Sequence, residues 1–362
     1  MVKKIDLYIL IPLIILSLFG LLMVYSASNV VALDDFNDSF YYFKRQLLFM
    51  VIGYIIMIII ININIIKIKK YSVIIFLICL FLLILVLIPG IGVVRGGARS
   101  WIGIGTFSIQ PSEFMKVGIV LLISKYLSEY YLDLKKTKYF LFLSILIIII
   151  FLLIMLQPDF GTGLVILLSC FAFLFISGAN YKLFIIIGLV GLLGIGVLIL
   201  SAPYRLERIL AYLDPWSDPL GSGFQGIQSL FAITPGGLFG HGFNNSIQKH
   251  FFLPEPQNDF IYAIIVEEFG LIGGIIVLVL YFIIIYRCFI ITRNIDNNYC
   301  KFILIGLSLS LAIQVFINIG VVIGLLPVTG ITLPLFSYGG SSLVINFISF
   351  GLILNASKYQ NI

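Results

Sequence analysis

The chain has 362 residues, of which 61% are hydrophobic and only 10% charged, with a mean hydropathy of +1.17. Soluble domains carry about 25% charged residues, so a water-soluble core is excluded. The net charge of +6 lies mostly in short segments between apolar runs, which is a topology signal and argues against a nucleic-acid surface.

Apolar runs of about 18 residues or more recur along the chain, each long enough to cross a bilayer, and the alternating pattern of a membrane barrel is absent. The expected fold class is an all-α polytopic membrane protein forming a single domain over 1–362. The first run, 7–24, follows Lys3 and Lys4 and precedes the small residues Ser26, Ala27 and Ser28. A signal peptide has that outline, but the run exceeds a usual signal core and is read as a retained span. Further spans are expected at about 45–62, 71–89, 112–128, 138–156, 161–178, 182–201, 259–286, 302–325 and 339–356, making ten.

With the N-terminus inside, Lys67, Lys69, Lys70, Lys135, Lys136, Lys138, Lys182, Arg287, Arg293, Lys301 and Lys358 fall in the cytoplasm. The outer loops then hold Asp34, Asp35, Asp38, Asp159, Glu207, Asp214, Asp218 and Glu255, with fewer cations. The positive-inside rule therefore puts both termini in the cytoplasm. Cys79, Cys170, Cys288 and Cys300 are scattered and form neither a disulfide framework nor a metal motif. His241 and His250 share one loop but have no further ligands near them in sequence.

Three irregular segments fall on the outer side. Residues 202–258 are too long for an ordinary connection, and their aromatic and aliphatic anchors predict an ordered cap rather than disorder. Residues 90–111 contain GVVRGGARSW, too glycine-rich for helix, and PVTGITLPLFSYGGSS (327–342) joins the last two spans. Backbone of this kind is tolerated at membrane depth only when buried in protein or lining a wet cavity. A shared outward-facing site is expected.

The stretch KHFFLPEPQNDFIYAIIVEEFG (249–270) concentrates charge at the edge of an apolar helix. Asp259 has two readings there, a helix cap or a general base whose basicity is raised by desolvation. On a continuous helix Glu267 would lie about 80° around from Asp259 and Glu268 about 180°. Only Glu267 would then share the Asp259 cavity; an internal hydrogen-bonded pair is the alternative for both. Glu113 and Lys116 are i, i+3 neighbours, either a structural salt bridge or the lining of an anion site. Asp159 in QPDFGTG reads as a turn or cap residue. Arg205, Arg208 and Lys249 run against the positive-inside bias and suit either solvated loops or an anionic lipid phosphate or diphosphate. No Walker loop, HExxH motif, GxSxG elbow or EF-hand loop is present, so a transporter fits these residues as well as an enzyme.

Longer motifs narrow the choice. RGGARSWIGIGTFSIQPSEFMK (95–116), QPDFGTG (157–163), YRLERILAYLDPWSDPLGSGFQGIQSLFAI (204–233), GGLFGHGFNNSIQKHFFLPEPQNDFIYAIIVEEFG (236–270) and NIGVVIGLLPVTGITLPLFSYGGSSL (318–343) occur in order. Together they make the chain resemble the SEDS family of bacterial cell-wall proteins, which includes FtsW, RodA and SpoVE. The LDPWSDPLGSGFQ, SIQK and GITLPLFSYGG wording looks more like the FtsW/SpoVE branch. Asn258 stands where the family usually has Thr, Val266 where a small residue is common, and Phe224 where Tyr is frequent.

The resemblance implies a peptidoglycan glycosyltransferase that polymerises lipid II into β-1,4 glycan strands in division or sporulation septal wall synthesis. It implies a class B penicillin-binding protein as partner, beside other divisome or sporulation membrane proteins, and a divalent cation such as Mg or Mn. Asp259 would be the essential carboxylate and a metal ligand. Arg208, Lys249, Glu255, Glu113, Lys116, Asp159, Glu267, Ser337 and Ser341 would line the substrate site. A lipid II flippase or a non-catalytic scaffold for the penicillin-binding protein are the competing readings.

Overall fold

The computed structural model describes residues 5–95, 97–104, 107–130, 134, 136–200 and 203–360. Lys3, Lys4 and Lys135, used above for topology, lie outside the described residues. Ten long helices occupy the expected spans: α1 (Leu7–Phe36), α2 (Tyr41–Asn62), α3 (Ile65–Leu85), α4 (Pro111–Tyr130), α5 (Thr137–Met155), α6 (Phe160–Ile176), α7 (Tyr181–Leu200), α10 (Ile261–Arg293), α11 (Asn298–Val322) and α12 (Gly340–Ser357). The intervening α8 (Pro203–Leu213) and α9 (Phe224–Ile233), with a 3-10 turn at Pro215–Ser217, order the long 202–258 segment as expected.

Local chemistry sets several boundaries. Asp6, Asn64 and Asn297 cap α1, α3 and α11, each accepting a first-turn backbone N–H that would otherwise lack a partner. Asn37 closes α1 in the left-handed region, with its amide bonded to Leu33 O. As a result α1 runs well past the expected end at 24 and carries Ser26 and Asn29 toward the long loop.

The segment 90–111 differs from expectation. It forms a three-stranded antiparallel sheet, β1 (Gly92–Arg95), β2 (Ala98–Ile104) and β3 (Phe107–Ile109), in the order β1-β2-β3. The Arg95 guanidinium lies over the Trp101 ring at 5.4 Å across the β1–β2 pair. Short strands separated by glycine turns leave no helical or strand periodicity long enough to read from sequence.

Burial ranks the helices. The apolar windows of α12 and α11 are 78% and 72% buried, against 28% for α2 and α3, so α11 and α12 form the centre. These central helices carry Gln314, Asn318, Asn346 and Asn355, amides that in an apolar surrounding must find partners. Asn355 donates to Ile60 O and Ile63 O, both at 2.7 Å, fastening the end of α2 to α12. Both ends of the described chain lie at one face: Arg287 on α10 pairs with Asp6 at 2.8 Å, and Ile295 bridges Gln360. The long loop gathers at the opposite face, here the loop face.

Helix α10 is broken. Gly270 has φ 67° and ψ −171°, so the half-helix 261–269 is not continuous with the rest. Residues 237–242 run beside this break and satisfy the freed backbone groups. His241 N donates to Glu267 O at 3.0 Å and Gly242 N to Glu268 O at 2.9 Å. Leu271 N donates to Gly237 O at 2.9 Å and Ile272 N to Leu238 O at 3.2 Å. These four bonds pair backbone groups where the non-helical chain meets the bundle.

Candidate active site

Asp259 occupies the approach to α10. Pro254 and Pro256 keep the chain in turns, and the helix starts only at Ile261 with Phe260 as an N-cap that makes no side-chain capping bond. The capping reading of Asp259 therefore does not apply. Its backbone is held from two elements instead. Asn318 on α11 donates to Asp259 O and to Ile331 O, both at 2.7 Å. Tyr338 N donates to Gln257 O at 2.8 Å, joining the 327–342 connector to the same junction.

The surroundings tune the carboxyl. Partial burial raises Asp259 from the usual 3.8 to about 6. Its own backbone amide opposes that rise, the Glu255 charge adds to it, and the Arg208 guanidinium opposes it. Arg208 projects from α8, exposed, with Nη1 3.3 Å from Val328 O. Glu255 is exposed, sits at φ 45° and accepts from Asn258 Nδ2 at 2.5 Å. The Asn258 side chain is thus turned to Glu255 rather than to Asp259.

The other expected site residues lie apart from this group. Lys249 is 2% exposed; its Nζ donates to Asn244 O at 2.7 Å and Asn244 Oδ1 at 2.5 Å, and stands 3.8 Å from Glu268 Oε1. Burial pulls its ammonium below the usual lysine range, against the charges of Glu268 and Glu267. Glu267 accepts from Ser246 Oγ at 2.5 Å and from Ile247 N at 2.8 Å. It does not share the Asp259 cavity, because the helical phase used in that expectation starts at Ile261 and does not extend back to Asp259. Glu268 accepts from Ser26 Oγ of α1 at 2.5 Å.

Glu113 and Lys116 form a buried salt bridge at 2.8 Å, and Lys116 also donates to Gln314 at 2.7 Å. Asp159 caps α6 through Thr162 N at 3.2 Å and accepts from Gln110 Nε2 at 2.8 Å. Burial pushes its carboxyl above the ordinary range. Ser337 Oγ accepts from Leu333 N at 2.7 Å, holding the connector's turn, and Ser341 is buried at the start of α12. These groups build the walls beneath the loop face, while Asp259, Glu255 and Arg208 meet at its surface.

Sequence reasoning missed Asn318, Gln314 and Gln46, the last of which donates to Ser337 O at 3.1 Å. Their signal was present as amides inside apolar runs, which are costly unless paired. Among the described residues no group of three or more His, Cys, Asp or Glu side chains is placed to hold a metal ion. Asp259 and Glu255 offer two carboxylates, which suits a hard cation that keeps waters and takes oxygens from a bound diphosphate.

With this geometry, what can be done chemically is proton abstraction by Asp259 beside a cation able to face an anionic leaving group. Comparison with known proteins places the chain among relatives. Stage V sporulation protein E of Bacillus subtilis is 51% identical over 98% of this chain and 97% of its own. A probable peptidoglycan glycosyltransferase FtsW of Coxiella burnetii is 41% identical, covering 96% of this chain and 95% of that protein. Among solved structures, one described as structural coordination of polymerization and crosslinking by a peptidoglycan synthase complex matches with TM-score 0.76 and 30% identity, covering 99% of each chain. The rod shape determining protein RodA of Thermus thermophilus matches with TM-score 0.73 and 26% identity over 99% of each chain. The family model described as cell cycle protein, FtsW/RodA/SpoVE, matches residues 6–362. The chain belongs to the FtsW/RodA/SpoVE family of cell cycle proteins.

Proposed function

We propose that this chain is a peptidoglycan glycosyltransferase that polymerises lipid II into β-1,4 glycan strands in septal wall synthesis of division or sporulation. The observation that carries the reading is Asp259: a half-buried carboxyl raised to about 6, at the loop face of a membrane bundle, within electrostatic reach of Arg208. The names of the relatives, stage V sporulation protein E and probable peptidoglycan glycosyltransferase FtsW, support the same activity.

Asp259 accepts the proton of the acceptor GlcNAc 4-hydroxyl as that oxygen attacks the donor anomeric carbon. The bond from that carbon to the lipid diphosphate breaks, and the electron pair leaves with the diphosphate. One displacement converts an α-linked donor into a β-linked product, so no covalent nucleophile is needed. Arg208 offsets charge developing on the leaving group. A divalent cation bound by Asp259 and Glu255 would supply further charge neutralisation there.

The positive-inside pattern supports a loop face on the outer side of the cytoplasmic membrane, with both termini in the cytoplasm. A class B penicillin-binding protein is the partner that crosslinks the product. The synthase-complex structure similar to this chain, which couples polymerization and crosslinking, supports that pairing. The test is purified protein with its partner on lipid II, the partner's transpeptidase blocked by a β-lactam, with glycan strands resolved by gel. Polymer that depends on this chain supports the enzyme. An intact complex that makes none supports a scaffold.

A further inference from the structure

Outside the Asp259 group, the densest buried polar cluster joins α1, the loop and α10. Glu267, Glu268 and Lys249 are 1%, 0% and 2% exposed. Lys249 Nζ holds both oxygens of Asn244, and Asn244 Oδ1 also accepts from Asn29 Nδ2 on α1 at 2.6 Å. On the far side Lys249 faces Glu268, which accepts from Ser26 on α1, 242 positions earlier in the chain, at 2.5 Å. The path therefore leaves α1 at Asn29 and returns to α1 at Ser26, enclosing the loop and the broken helix.

Burying the three charged groups of this set is expensive. The break at Gly270 gives it a purpose. Because the half-helix 261–269 is not continuous with the rest of α10, its pose depends on the backbone bonds from His241 and Gly242 together with its side-chain contacts. The cluster grips this half-helix through Glu267 and Glu268 at its inner end, while Asp259 leads into its outer end. The same lysine anchors the chain that runs on to Asp259 through 250–258. Both backbone routes into the acid thus start from one buried lock.

We infer that Lys249 and Glu268 are positioning residues: their bridge to α1, buried at Ser26 and reaching Asn29 through the exposed Asn244, fixes the half-helix that aims Asp259. The inference rests on the glycosyltransferase reading and assigns Lys249 to holding the acid rather than binding diphosphate. The bridge also makes the loop-face end of α1 a mechanical partner of the acid, so a force that shifts α1 acts on the rate.

The test compares wild type, Asp259→Asn, Lys249→Met, Glu268→Gln and Asn29→Ala in the partner-bound complex, reading kcat and KM for lipid II separately. Lys249→Met and Glu268→Gln should each cut kcat by about 10–100-fold while KM stays within about threefold. The double variant should be no worse than its worse parent, since both break one bridge. Asn29→Ala removes no charge, so it reads the lock even where the charged variants fail to accumulate. It should lower kcat about threefold to tenfold while KM for lipid II stays within about threefold.

A raised KM with unchanged kcat in Lys249→Met would make Lys249 a substrate ligand and overturn the inference. Wild-type kcat in folded Asn29→Ala and Glu268→Gln would also overturn it. Failure of wild type to polymerise would instead count against the glycosyltransferase reading itself.

Discussion

A carboxyl raised from 3.8 to about 6 costs the folded protein stability wherever it is ionised. The cost begins as pH rises past the unfolded value and is complete above about 6, reaching on the order of 3 kcal/mol. Asp259→Asn is therefore expected to raise the thermal midpoint at pH 7.5, with the gain vanishing below about pH 4, as differential scanning fluorimetry would show. The same variant should lose polymerisation by more than about 100-fold. For wild type, the rate should climb about tenfold per pH unit below 6 and level off above it, reflecting the deprotonated base. A gain in stability with a loss of rate is what a strained functional group gives and a structural carboxylate does not. Asp259 stands out in the sequence as a charge at an apolar helix edge, where the residues alone left a cap and a base equally open. The link from Lys249 to α1 was not legible, because Ser26 and Asn29, which bond Glu268 and Asn244, are distant in sequence and nothing local encodes which groups a buried carboxylate will meet.

At the scale of elements, the break in α10 and the pair beneath it carry the predictions. A Cβ at Gly270 would meet Leu238 C at 2.3 Å and Phe239 N at 2.5 Å, in a left-handed conformation that a side chain resists. Gly270→Ala should therefore sharply reduce folded protein in the membrane. Gly188→Ala on α7, where nothing lies within 4 Å, should accumulate normally. Breaking the Glu113–Lys116 bridge from one side, as in Lys116→Met, strands a buried carboxylate and should cost about 3–5 kcal/mol, read as a lower thermal midpoint. The double change Glu113→Gln with Lys116→Met should recover much of that loss. The spans were legible because apolar length alone marks them. The break was hidden because Gly270 sits in EEFGLIGG, where glycine is also compatible with plain helix packing. The sheet at 92–109 was hidden by its short, glycine-punctuated strands.

Across the whole molecule, the division of labour follows burial. The central α11 and α12 hold amides that fasten loops, through Gln314 to Thr332 O at 2.9 Å and Asn318 to Asp259 O at 2.7 Å. Peripheral α2 and α3 present aliphatic side chains outward, as a bilayer-facing surface requires. Asp6 and Arg287 pin α1 to α10 at the face opposite the loop, so α1 contacts α10 near both of its ends. A partner that engages this frame is expected to raise kcat at least about tenfold with little change in KM, measurable by titrating the penicillin-binding protein into a fixed amount of the chain. The order of spans and the ordered loop were readable in advance. Which polar groups meet depends on packing between helices far apart in sequence, and that only the structure supplies. The most direct measurement is glycan-strand synthesis from lipid II by the partner-bound complex, wild type beside Asp259→Asn, with transpeptidation blocked. The account predicts polymer from wild type and none from the folded, partner-bound variant. Equal polymer from both would contradict it.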